Sequence, residues 1–177
     1  MDADAGDVVV RVAGPGDADL AAVLRVHAAH RPGTRAADPP TGQERATWRR
    51  MAATPDLTVY LAEAPGGEPI GTATLLLMPN VTYGCAPTAF IEAVVVVPAH
   101  RRRGVATAVL RRALADAAEG GCDKVQLLSH KRHATDGAHA LYTSLGFSAE
   151  AEGFRRYLRS SPPPSSAPSP PAPTPGA

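Results

Sequence analysis

The chain has 177 residues, enough for one domain that buries a real core and leaves some residues for its ends. Eighteen Lys plus Arg against 17 Asp plus Glu give a formal charge of +1, which argues against bulk attraction to nucleic acid or to an acidic membrane. The only cysteines, Cys85 and Cys122, are too few for a Cys-rich zinc site or a disulfide scaffold. The acidic start MDADAGD and the lack of any apolar run near the roughly 20 residues of a spanning helix then point to a cytoplasmic protein without a membrane partner.

In chain order, VVVRV at 8–12 reads as a first strand. Pro15-Gly16-Asp17 turns the chain, and Asp17 is placed to cap a helix over 18–30 in which Leu20, Val23, Leu24 and His27 share a face. The polar stretch 31–41 carries Pro32, Gly33, Pro39 and Pro40 and reads as a loop of the kind that covers a substrate mouth. A second helix over 43–53 follows, with Ala46, Arg49 and Arg50 at helical spacing and Met51 and Trp48 as equal candidates for its buried side. Runs at 58–64 and 69–78 flank Pro65-Gly66-Gly67 as a hairpin, and 88–97 adds a third neighbouring strand that ends at Pro98. After these come a helix over 104–119 closed by Gly120-Gly121, a strand at 124–130, a helix over 136–145 ended by Gly146, and apolar segments through Phe147 and Tyr157-Leu158. This alternation predicts a mixed α/β or α+β domain built around one sheet over 1–159. Eight of the 18 prolines fall in the last seventeen residues, so 160–177 is expected to be a disordered Pro-rich tail.

The most informative stretch is IEAVVVVPAHRRRGVATAVLRRALADA, beginning at Ile91. An apolar strand runs directly into a basic, glycine-containing loop that becomes an amphipathic helix. The unsatisfied N–H groups of a first helical turn and the positive end of its dipole make such a junction an anion site. Gly104 permits close backbone approach, Ala106 is small, and Arg101, Arg102 and Arg103 supply charge-assisted bonds to phosphate. There is no GxxxxGK[ST] and no GxGxxG after the first strand, so P-loop and dinucleotide enzymes fit poorly. Strand alternation puts Glu92, Val94 and Val96 on one face, opposite Ile91, Ala93 and Val95. A carboxylate inside an otherwise apolar strand has to be solvated, paired or used. Of the six histidines, His27 and His30 lie three apart on the first helix, where core or surface satisfaction is the favoured reading, and His130, His133 and His139 cluster late in the sequence. No HExxH or comparable ligand set is completed, so no metal is expected.

At this point the sequence resembles the GCN5-related N-acetyltransferase superfamily over roughly 8–158. Its acetyl-coenzyme A signature, Q/R-x-x-G-x-G/A, is matched by Arg101-Arg102-Arg103-Gly104-Val105-Ala106, and a second block, an alanine-rich helix ending in Gly-Phe, by AHALYTSLGF at 138–147. Arg102 stands where the family often has glycine, and Leu141 where an aromatic usually precedes the tyrosine. The resemblance implies a central, mostly antiparallel sheet whose fourth and fifth strands splay apart to hold the pantetheine arm of acetyl-coenzyme A. By that analogy the backbone of Val94, Val95 and Val96 pairs with the pantetheine amides, and the N–H groups from Arg102 through Gly104, Val105 and Ala106 to Thr107 hold the pyrophosphate. Ser129 and Tyr142 line the thioester end.

Acetyl transfer to an amine needs an unprotonated nitrogen, since alkylammonium groups have a pKa near 10. Glu92 is then the candidate general base or amine-orienting residue, with a structural carboxylate as the other reading. By the resemblance Tyr142 is the candidate donor to the leaving thiolate, with packing of the last helix as its other reading, and a backbone N–H near Val94 or Val95 is the candidate oxyanion donor. The expected acceptor is a small primary amine. A protein or peptide N-acetyltransferase and a regulatory module that binds acetyl-coenzyme A without turnover are the alternatives. Homodimerisation is a further expectation of the resemblance, with Trp48, Phe154 and Tyr157 as interface candidates if they lie outside the core.

Overall fold

The hairpin around Pro65-Gly66-Gly67 is the centre of the sheet, and both glycines take positive φ there (100° and 84°). The structure, a computed structural model, describes residues 8–30, 33, 39–134, 137–156 and 158. The acidic start, most of the 31–41 loop, Tyr157 and the Pro-rich tail lie outside the described residues. Among the described residues the strands are β1 (Val9–Val12), β2 (Leu57–Glu63), β3 (Pro69–Met78), β4 (Thr88–Val96) and β5 (Lys124–Leu127). The helices are α1 (Asp17–His30), α2 (Gly42–Ala52), α3 (Val105–Glu119) and α4 (Ala138–Ser144). The sheet order is β1-β2-β3-β4-β5, antiparallel from β1 to β4 and parallel between β4 and β5. This is the open, mostly antiparallel mixed sheet with flanking helices that the resemblance implied.

The two faces of the sheet carry different layers. Tyr60, Ala73, Leu75 and Ile91 pack with Val105, Val109, Leu110 and Ala113 of α3, and Leu141, Leu145 and Phe147 close the same cluster. Leu110 is fully buried there, which contributes about 1.5–3 kcal/mol by removal of its side chain from water. Gly71 lets α3 sit this close, because a Cβ on it would lie 2.8 Å from Val105 Cγ1. On the opposite face Val59 and Leu61 meet Leu20, Ala22 and Val23 of α1 and Trp48 of α2. Trp48 is therefore a core residue, its indole N–H donating to the Gly14 carbonyl at 3.2 Å, and not an interface residue.

Several expectations shift in detail. Residues Leu20, Ala22, Val23 and Val26 form the buried side of α1, so Val26, fully buried, takes the place expected of His27. The strand expected at 124–130 ends at Leu127, and the last apolar segments pair with no strand among the described residues: Phe147 packs on the core, while Phe154 and Leu158 are 90% and 88% exposed.

The larger correction concerns β4. Thr74 faces Glu92 and Thr72 faces Val95, so two residues, Ala93 and Val94, stand opposite Ala73 alone. This is a β-bulge, and Ala93 adopts a left-handed φ of 54° to make it. The bulge inverts the expected alternation. Glu92 shares a face with Val95, while Val94 and Val96 join Ile91 on the α3 side and pack against that core.

Candidate active site

The parallel pairing of β4 with β5 runs from Thr88–Lys124 to Ile91–Leu127 and stops there. From the bulge onward the two strands separate, and a cavity of about 1160 Å³ fills the opening. That exceeds the roughly 300–1,000 Å³ of ordinary small-molecule pockets. Its wall includes Glu92, Val94, Val95, Val96, Arg101, Arg102, Gly104, Val105, Ala106, Thr107, Ser129 and Tyr142. Of the residues singled out in the sequence, Arg103 is exposed and lies outside this wall.

The backbone of β4 offers hydrogen bonds to the cavity. Val97 N–H donates to the Ile70 carbonyl at 2.9 Å, which fixes that peptide plane. A trans peptide aims its C=O opposite to its N–H, so the Val96 carbonyl points away from β3 and into the gap. Arg101 Nε donates to it at 3.3 Å. Alternation gives the Val94 and Val96 backbone groups to the gap and those of Val95, paired with Thr72, to β3.

The start of α3 carries no side-chain cap, and its N-cap is Gly104 with φ 76°. The N–H groups of that turn are thereby left open toward the cavity. Arg102 takes φ 62° just before it, a conformation that glycine adopts at lower cost. Its guanidinium reaches across to α4, where a Cβ on Gly137 would lie 2.7 Å from Arg102 Nη1. Arg101 also meets His30 of α1, Nη2 to Nδ1 at 3.0 Å. A guanidinium only donates, so Nδ1 is the acceptor in this contact.

Glu92 is exposed on the α1 face of the sheet, and it forms no hydrogen bond or ion pair among the described residues. Tyr142 is half-buried on the α3 face, its ring edge-on to Phe147 at 6.0 Å. Sequence reasoning passed over Arg111 and Arg155 and weighed His133 only as a metal ligand, and all three line the cavity. Arg111 follows Thr107 by one helical turn and was legible from that spacing. The other two arrive through tertiary packing. His139 lies outside the wall with a buried Nε2 that has no partner among the described residues. Neither cysteine lines the cavity; burial pushes the Cys122 thiol pKa upward, so it is held in the protonated form. Among the described residues no group of three or more His, Cys, Asp or Glu converges as a metal site, and no helix is long and apolar enough to cross a membrane.

A family model described as "Acetyltransferase (GNAT) family" matches residues 23–147. The chain belongs to this family. Its GNAT fold is shared with a putative acetyltransferase from Agrobacterium tumefaciens, 37% identical, with a TM-score of 0.73 over 84% of this chain and 99% of that one. A Bacillus halodurans structure described as a transcriptional regulator is 25% identical, with a TM-score of 0.74 over 86% and 100% of the two chains. At 20% identity, AAC(6′)-Iy in complex with the bisubstrate analogue CoA-S-monomethyl-acetylneamine has a TM-score of 0.67 over 87% and 99%, a likeness of fold. No curated protein sequence matches the chain. GNAT enzymes use acetyl-coenzyme A, and this protein is an acetyl-coenzyme A-dependent acetyltransferase. The open α3 N-terminus, the gap-facing β4 backbone and the size of the cavity fit that co-substrate.

Proposed function

We propose that the protein transfers an acetyl group from acetyl-coenzyme A directly to the primary amine of a small molecule, with both substrates bound together. The observation that carries this reading is the position of Glu92. It stands at the point where β4 and β5 part, on the face opposite α3, so the cavity connects an anion-binding helix start on one side with a carboxylate on the other.

Acetyl-coenzyme A supplies the activated acyl group. The first-turn amides of α3 hold its phosphates, and the gap-facing backbone of Val94 and Val96 holds the pantetheine arm. Glu92 orients the acceptor ammonium and takes its proton, directly or through one water, so that the nitrogen lone pair is available. A β4 backbone N–H faces the negative charge that develops on the acetyl oxygen. Tyr142 O–H donates to the departing sulfur.

The test is release of free coenzyme A by the purified protein across a panel of primary amines, beside Glu92→Gln and Tyr142→Phe. Acceptor-dependent release is expected, with kcat/KM lowered about 10²–10⁴-fold by Glu92→Gln and less by Tyr142→Phe. Saturable binding of acetyl-coenzyme A with no release on any primary amine defeats this reading of the acceptor.

A further inference from the structure

Charge is distributed unevenly in the cavity wall. Among the described residues its only carboxylate is Glu92, against four arginines, Arg101, Arg102, Arg111 and Arg155, and four histidines. Three of the arginines belong with the cofactor side. Arg101 bonds the Val96 carbonyl and His30, Arg102 lies against Gly137 at the start of α4, and Arg111 follows the phosphate loop along α3.

Arg155 comes from elsewhere. Leu127 pairs with Ile91 on the α3 face, so Leu128 turns to the other face, where its side chain is 55% exposed. The segment after α4 crosses over it, since a Cβ on Gly153 would lie 2.8 Å from Leu128 Cδ2. This crossing brings Arg155 to the wall of the same cavity that Glu92 lines. Neither makes a hydrogen bond or ion pair among the described residues, so the two unlike charges share one opening without neutralising each other.

We propose that the acceptor carries an anionic group, a carboxylate or a phosphate, beside its amine, and that Arg155 receives that group while Glu92 receives the amine. The proposal rests on the amine acetyltransferase reading and narrows it to acceptors that are zwitterionic at neutral pH. A guanidinium suits this role because its planar fork matches both carboxylate and phosphate in bidentate fashion, and it stays charged at every working pH. An uncharged amine would leave Arg155 unmatched.

The test uses the full chain with acetyl-coenzyme A and acceptors in matched pairs: phenylalanine against phenethylamine, and phosphoethanolamine against ethanolamine. Release of coenzyme A gives kcat/KM for each member with the wild type, Arg155→Ala and Arg155→Lys, and titration gives Kd for acetyl-coenzyme A. The wild type is expected to prefer the anionic member of at least one pair. Arg155→Ala should collapse that ratio by about 10- to 100-fold through KM, and Arg155→Lys should restore part of it, with Kd for acetyl-coenzyme A at the wild-type value. The pair that responds tells carboxylate from phosphate. Equal use of the neutral amines overturns the proposal and leaves the acetyltransferase reading intact. Weaker cofactor binding by Arg155→Ala overturns it by assigning the guanidinium to the cofactor's phosphates. Binding of acetyl-coenzyme A with no turnover on any amine overturns the reading and this proposal together.

Discussion

Tyr60 shows how one side chain ties core to helix. Its ring is fully buried on the α3 side of the sheet, and its hydroxyl donates to Asp116 Oδ2 at 2.7 Å, while Arg112 donates to Asp116 Oδ1 at 2.8 Å. Burial first, then the bond to Asp116, push the phenol pKa far above its ordinary value near 10. Because the folded value is raised, the stabilisation is fully present below pH ~10, where the unfolded phenol ionises, and is lost as pH rises toward the folded value. Tyr60→Phe is therefore expected to cost about 1 kcal/mol in urea unfolding at neutral pH. Above pH ~10 the variant should lose less stability than the wild type, and parallel curves would remove Tyr60 from the alkaline response. At the acid end Asp19 behaves oppositely. The Arg11 bond, helped by the Gly14 N–H, holds its pKa below the usual carboxylate range, so its contribution is present above pH ~3.9 and fades as pH falls through the depressed value.

At the scale of elements, the bulge in β4 decides where the site lies. Ala93 holds a left-handed φ, which costs a non-glycine residue roughly 1–2 kcal/mol, and a β-branched side chain there fares worse. Ala93→Gly should keep the bulge and the affinity for acetyl-coenzyme A. Ala93→Val should lower the melting temperature and raise Kd, because a strand that regains regular pairing with β3 returns Glu92 and the gap-facing carbonyls to other directions. Equal affinity in the two variants would mean that the opening between β4 and β5 does not depend on the bulge. Nothing in IEAVVVV announces this feature, since the left-handed position carries alanine instead of glycine, and an alternation rule then assigns every later residue to the wrong face. The loop-to-helix junction was legible because its signal is local: RRRGVA carries the glycine, the small residue and the helix start within six positions. Local signals could also be passed over. Thr41-Gly42-Gln43-Glu44 forms a capping box, with Glu44 N–H donating to Thr41 Oγ1 at 3.2 Å and Thr41 N–H to Glu44 Oε2 at 2.7 Å, and the T-x-x-E spelling was there to be read. Arg155 had no such spelling, because its place depends on a crossing over Leu128 that only the tertiary fold creates.

For the molecule as a whole, a formal charge of +1 provides almost no long-range field to gather a polyanionic co-substrate. Affinity then has to come from local geometry, and the three consecutive arginines allow geometry to be separated from charge. Arg101 is wired into the site through Val96 and His30, joining β4, α1 and the loop before α3, whereas Arg103 is exposed and outside the cavity wall. Each variant, Arg101→Ala or Arg103→Ala, removes one positive charge. At ~0.15 M salt exposed charges are screened beyond about 8 Å, so Arg103→Ala is expected to change Kd for acetyl-coenzyme A less than about twofold. Arg101→Ala is expected to raise it roughly tenfold. The cofactor-dependent rise in melting temperature at fixed acetyl-coenzyme A should shrink in step, because ligand stabilisation follows RT ln(1 + [L]/Kd). Equal losses in both variants would mean that the triplet acts as undifferentiated charge. Tighter binding by Arg101→Ala would mean that its side chain competes with the pantetheine arm for the Val96 carbonyl, and that Arg101 must swing off this carbonyl before the co-substrate can enter.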